Sequence, residues 1–118
     1  MLKVYVKYHL KPGTRDAFLA GITEKTLQDA VLHEDGCLKY DYSPVADDPD
    51  QVLLEEEWTS LQAQQIHLKQ PHMARIAALK DQYMDHMDLD MEEALAMTKV
   101  FDMERYRVLE ATTTGAGD

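Results

Sequence analysis

Residues 2–11 read LKVYVKYHLK, so that Leu2, Val4, Val6, Tyr8 and Leu10 alternate with Lys3, Tyr5, Lys7, His9 and Lys11. A period of two places the first set on one face of a β-strand and the second set on the other. A strand with one strongly apolar face must be covered there, which calls for a sheet backed by helices. Gln51–Trp58 repeats the pattern, with Val52, Leu54, Glu56 and Trp58 on one face. Between these strands, Pro12-Gly13 turns the chain and Thr14 is positioned as an N-cap. Phe18, Leu19, Ile22, Thr26, Leu27, Ala30 and Val31 then recur at helical spacing, predicting one helix to about residue 33. Asp35-Gly36 stops it, since glycine takes positive φ without steric cost. Leu38, Tyr40 and Tyr42 line a second strand that ends at Ser43-Pro44, and Ala46-Asp47-Asp48-Pro49-Asp50 is a loop.

After the Trp58 strand, Thr59 and Gln62 have the spacing of a capping box, opening a short helix that carries His67. Pro71 interrupts it and suits the first turn of another helix, with Gln70 at its cap and its end near Met84. Asp90 with Glu93 is a second capping-box pattern, which predicts a helix over Met91–Met97. Residues 85–97 then form an extra helical insertion, rich in methionine, that serves either as core fill or as a lid on an apolar pocket. Val100–Leu109 is the expected final strand, with a bulge near Glu104–Arg107. The order β-α-β-β-α-(α)-β is an α+β, ferredoxin-like split β-α-β with an antiparallel sheet. It predicts a single domain over residues 1–110 and a disordered tail over 111–118.

With 118 residues and 45% hydrophobic content, the chain has the makings of one globular domain. Twelve basic against 22 acidic side chains, net −10, argue against a general nucleic-acid binder. No apolar run reaches the roughly 18 residues a membrane span needs. The lone Cys37 rules out an intrachain disulfide and suits a reducing compartment, so a cytoplasmic location is expected. The sheet face away from the helices would carry Tyr5, Lys7, His9, Leu53, Glu55 and Glu57. Lysines of the first strand would there face glutamates of the third.

Candidate chemistry clusters on few residues. On a continuous helix, His67 and His72 would lie about 140° apart. The break at Pro71 removes that objection and allows both to face one site. An imidazole with its ordinary pKa near 6.5 is a suitable base for a phenolic proton at neutral pH. Glu56 lies on the apolar face between Leu54 and Trp58, where a carboxylate needs a hydrogen-bond partner. It either satisfies a structural bond or orients a histidine or substrate hydroxyl. Trp58, Tyr40, Tyr42 and Tyr8 share the helix-facing side, as core filling or as a flat aromatic pocket with phenol handles. No metal is expected, because His67 and His72 lack the His-Glu-x-x-His spacing and no third ligand stands at a suggestive distance in sequence. Phosphate loops, nucleophile elbows and dinucleotide fingerprints do not occur in the sequence.

Two stretches resemble a known family. Glu56-x-Trp58, Thr59-Ser60 and His67-Leu68-x-x-Pro71-His72 resemble the pattern of the antibiotic biosynthesis monooxygenase domain, within it the quinol monooxygenase-like branch. His33-Glu34-Asp35-Gly36-Cys37-Leu38-x-Tyr40-Asp41 resembles that family's acidic-Gly-Cys turn. The resemblance covers residues 1–84 and loosens beyond them. It implies a dimeric α+β barrel, no cofactor, and oxidation of a small electron-rich aromatic, a quinol or polyketide-like phenol, by dioxygen. In that scheme His67 or His72 is the general base, and Trp58 with Tyr40 stacks on the substrate. A haem-degrading relative of this fold uses Asn, Trp and His at positions that here hold Val6, His67 and Ala77, so haem degradation is disfavoured. Two alternatives remain open: a small phosphosugar isomerase on the same fold, and a non-enzymatic dimeric ligand-binding domain.

Overall fold

The computed structural model describes residues 1–93. Strand β1 (Leu2–Leu10) is followed by helices α1 (Arg15–Ile22) and α2 (Lys25–Leu32), then by β2 (Cys37–Pro44) and β3 (Gln51–Trp58). Helices α3 (Leu61–His67) and α4 (Met73–Tyr83) lead directly into β4 (Met84–Glu93). The strands form one antiparallel sheet in the order β2-β3-β1-β4. This is the α+β ferredoxin-like arrangement that the element order predicts. No helix among the described residues is long and apolar enough to cross a membrane.

The alternation of β1 and β3 sets the layers. Leu2, Val4, Val6, Tyr8 and Leu10 are buried with Val52, Leu54, Glu56 and Trp58, under Phe18, Ile22, Leu27, Val31 and Ile76 from the helices. Register pairs Val4 with Glu56 and Val6 with Leu54, so both apolar faces point to the same side. Burying these side chains is the main stabilisation, about 1.5–3 kcal/mol for each large one.

Several local expectations are corrected. The first helix is not continuous to residue 33: α1 ends at Ile22, Thr23 turns its hydroxyl onto the Leu19 carbonyl at 2.6 Å, and Glu24 is extended at ψ 134°. A β-branched residue whose hydroxyl bonds back to the preceding turn, followed by an extended one, ends the helix there. Thr14 makes no capping bond to α1 and donates instead to the Lys11 carbonyl. The cap of α3 is Ser60 rather than Thr59, its hydroxyl accepting from the Ala63 amide at 3.1 Å. Helix α4 begins at Met73, two residues beyond Pro71, after a succession of tight turns from Gln70 to Arg75.

The largest correction concerns residues 85–93. They are strand, not the expected helical insertion, and they pair along β1 from Leu2↔Glu93 to Leu10↔Met84. The expected strand over Val100–Leu109, the rest of the Met91–Met97 helix and the 111–118 tail lie outside the described residues. Register puts Met87, Leu89 and Met91 on the core side, opposite Tyr8, Val6 and Val4. All three are nevertheless exposed.

Gly36 ends the α2–β2 connection with φ +84°. A Cβ there would meet Thr59 Oγ1 at 2.6 Å and Ala63 Cβ at 2.7 Å. Gly36→Ala is therefore expected to cost about 2–3 kcal/mol, from the left-handed backbone and the close approach together. Urea unfolding would show it as a lower midpoint at unchanged slope; an unchanged midpoint would disprove the tight turn.

Candidate active site

Three chain turns converge at one corner of the helix layer. The turn from α2 into β2 holds Glu34, whose amide bonds the Val31 carbonyl and whose carbonyl accepts from the Cys37 amide. The Thr59 amide donates to the Gly36 carbonyl at 2.8 Å and ties the end of β3 to that turn. His67 is the last residue of α3, and His72 stands immediately before α4. Glu34 is the hub. His67 Nδ1 lies 3.1 and 3.0 Å from its two carboxylate oxygens, and His72 Nε2 lies 2.5 Å from Oε2.

The imidazole of His67 is 1% exposed, the Glu34 side chain 9% and the His72 ring 20%. Burial of a carboxylate at this level requires donors, and the two histidines supply them. With His67 neutral, a proton on Nδ1 donates to Glu34 and leaves the Nε2 lone pair free, since neutral imidazole carries one N–H only. Among the described residues, Nε2 meets no hydrogen-bond partner. Burial pulls the pKa of His67 below the ordinary histidine value, against the opposing pull of Glu34.

The side chains around His67 are aromatic. The His67 ring lies 4.6 Å from the Trp58 ring and 5.4 Å from that of Tyr40. Tyr40 meets Tyr42 edge to face at 5.5 Å, and the Tyr42 hydroxyl donates to the Tyr40 hydroxyl at 3.2 Å. Tyr42 in turn stacks on Tyr8 at 6.3 Å. Trp58 Nε1 donates to Glu56 Oε1 at 2.9 Å, which meets the need for a partner on that buried carboxylate. The partner is an indole rather than a histidine. The Lys80 ammonium sits 5.9 Å from the centre of the Tyr8 ring. Burial raises the pKa of Tyr8, Tyr40 and Tyr42 and lowers that of Lys80.

His67, His72, Trp58, Glu56, Tyr40, Tyr42 and Tyr8 thus form one connected group. The bend at Pro71 brings the histidines together, but through a shared carboxylate. Sequence reasoning missed Glu34 and Lys80 as members. Glu34 lies in the acidic-Gly-Cys stretch, yet 33 residues separate it from His67, and no spacing rule reaches that far. A shallow hollow lined by Gly21, Glu24, Arg75, Ala78 and Leu79 opens elsewhere and touches none of this group. Cys37 is half-buried, and burial pushes its thiol up to about 11, so at neutral pH it is a protonated packing group.

Glu56 carries a pH signature. Burial raises its pKa to about 6, with the Trp58 hydrogen bond acting against the shift. A carboxyl raised above its unfolded value contributes stability that is present below about pH 4.5 and lost as pH rises through about 6. Above that range the charge costs about 2 kcal/mol. Glu56→Gln keeps the acceptor for Trp58 and removes the charge. It is expected to exceed the parent by about 1–2 kcal/mol at pH 7.5 and to match it at pH 4. Paired denaturation curves at the two pH values test this, and an equal difference at both would disprove it.

A four-stranded antiparallel sheet in the order β2-β3-β1-β4, backed by helices and enclosing a buried histidine–carboxylate group, defines an α+β ferredoxin-like domain. The antibiotic biosynthesis monooxygenase family model matches residues 1–79, and the chain belongs to that family. A solved antibiotic biosynthesis monooxygenase is 28% identical, with 81% of this chain and all of that one aligned at a TM-score of 0.71. A candidate antibiotic biosynthesis monooxygenase from Nitrosomonas europaea is 18% identical over 81% of this chain and 100% of its own, TM-score 0.73. A similar protein from Deinococcus radiodurans is 23% identical over 86% of this chain and 100% of its own, TM-score 0.69. No curated protein matches the chain.

Proposed function

We propose that this chain is a cofactor-independent monooxygenase that oxidises an electron-rich aromatic, a quinol or polyketide-like phenol, with dioxygen. One observation carries the proposal: a buried His67 whose Nδ1 is held by Glu34, leaving Nε2 as the base among aromatic rings. Dioxygen reacts sluggishly with closed-shell molecules, and removing a phenolic proton makes the ring a far better electron donor. The phenolate passes one electron to dioxygen, and the radical pair combines at a ring carbon as a hydroperoxide. Loss of water then leaves the oxygenated quinone. In total, a dihydroxyarene plus one dioxygen gives a hydroxyquinone plus one water; all the electrons come from the substrate. The protein's share is to hold the base, orient the ring and exclude water. Trp58 and Tyr40 are assigned the stacking, with Glu56, Tyr42 and Tyr8 completing the substrate wall.

The proposal includes a homodimer in the cytoplasm, formed through the sheet face opposite the helices. The single half-buried Cys37 suits a reducing compartment. On that outer face the β4 register sets Lys7 against Asp88 and Lys3 against Glu92, and Lys39 bonds Glu55 at 2.9 Å. In-plane pairing of this kind lowers the cost of bringing two such faces together. Light scattering should return twice the chain mass.

An oxygen electrode tests the chemistry on metal-free protein with a varied quinol panel. The expected result is one dioxygen consumed per quinol, with hydroxyquinone formed. No uptake across the panel would overturn the assignment, and hydrogen peroxide as the only oxygen product would overturn oxygen insertion.

A further inference from the structure

We propose that Glu34, His67 and His72 also form a binding site for one divalent transition ion of the zinc or iron(II) class. One potential donor atom from each residue lies within 4.8 Å of the other two. They come from three separate places in the chain: the turn before β2, the last residue of α3 and the residue ahead of α4. Two imidazoles with one carboxylate are a donor set that zinc and first-row divalent ions accept, with open positions left for water or substrate.

The histidine–carboxylate spacing and the burial both fit. Bonds of about 2.0–2.2 Å to a central ion put neighbouring donors about 3.0–3.4 Å apart. The His67–Glu34 contacts, 3.0 and 3.1 Å, already have that spacing, while the 2.5 Å His72–Glu34 contact must open by less than about 1 Å. The cluster is anchored at its buried end by His67 and reaches solvent at His72, which provides an entry path. The proton that bridges an imidazole and a carboxylate is what a divalent ion replaces, so binding releases protons and strengthens as pH rises.

The ion and the base exclude each other for a chemical reason. Coordination at His67 Nδ1 uses that lone pair and leaves the neutral ring's one proton on Nε2. The atom proposed as the base becomes a donor. Metal loading should therefore suppress any turnover that depends on His67, a coupling the sequence does not suggest.

Binding itself is tested without substrate, so its outcome is separate from that of the oxygenase proposal. Metal-stripped protein is titrated with Zn²⁺ by calorimetry and with Co²⁺ by visible absorption. One equivalent per chain is expected, with d–d bands on Co²⁺ addition. Glu34→Gln and His72→Ala should each weaken binding at least about tenfold, with far-UV circular dichroism unchanged. His86→Ala, at the exposed His9–His86 stack, should leave it intact. Two results would overturn the proposal: no stoichiometric binding by the parent protein, or full binding retained in folded Glu34→Gln and His72→Ala.

Discussion

Trp58→Ala is expected to lower the unfolding free energy by about 3–5 kcal/mol, the cost of removing a large buried aromatic side chain. Trp58 is fully buried, touches the His67 ring, and donates to Glu56. Truncation would therefore open a cavity and also leave a buried carboxylate without its donor. Trp58→Phe separates the two contributions. It keeps most of the ring volume and removes only the N–H, so a smaller loss of about 1–3 kcal/mol is expected. Since Trp58 is the chain's one tryptophan, unfolding has to be followed by circular dichroism rather than by indole fluorescence. A loss below about 1 kcal/mol for the alanine variant would show that the indole is not a core group.

His67→Gln is expected to reduce kcat by about 10²–10⁴, the usual contribution of a general base, while the protein stays folded. The glutamine amide can still donate to Glu34 but cannot take a proton. His72→Ala removes a more exposed ring on the same carboxylate, and a loss of about tenfold or less is expected from its effect on orientation. The pH profile adds a second readout. Because burial lowers the pKa of His67, activity should hold through neutral pH and fall on the acid side below the ordinary histidine value. The same sign applies to stability: the contribution is complete above about pH 6.5 and is lost as acid forces a proton onto the buried ring. Steady-state rates for both variants, measured alongside the parent from pH 5 to 8, check the three kinetic statements, and denaturation midpoints over the same range check the stability one. If His72→Ala proved the more damaging, the base would be reassigned to His72.

The fold was legible wherever one physical signal acted alone. The period-two runs over residues 2–10 and 51–58 predict two strands with a shared apolar side, and the structure places both in the sheet with those faces buried together. Burial needs only a periodic pattern, and the pattern is in the sequence. Over residues 84–93 two signals conflict. Met87, Leu89 and Met91 alternate with Asp88, Asp90 and Glu92, as a strand does, but aspartate disfavours strands and Asp90 with Glu93 has helix-cap spacing. The free edge of β1 decided the outcome, since a strand's unpaired amides and carbonyls are satisfied by a partner strand along their length. The break between α1 and α2 is a milder case. Apolar spacing runs unbroken from Phe18 to Val31, and only the backbone at Thr23 and Glu24 ends one helix and starts another.

At the site, local sequence was enough to single out His67 and His72, because Pro71 stands between them and redirects the chain. It also marked Glu56 as a carboxylate in need of a partner. It could not name Trp58 as that partner, nor Glu34 as the group joining both imidazoles. Such pairings follow from how a turn after α2 packs against the end of α3, and hydrogen bonds across 33 and 38 residues leave no trace in spacing. The sequence alone determined the apolar faces, the turns that take glycine, and the side chains able to move a proton. Tertiary structure alone decided which of those side chains meet and how deeply each is buried. Periodicity is a local property of a chain, whereas desolvation and charge pairing belong to the packed whole.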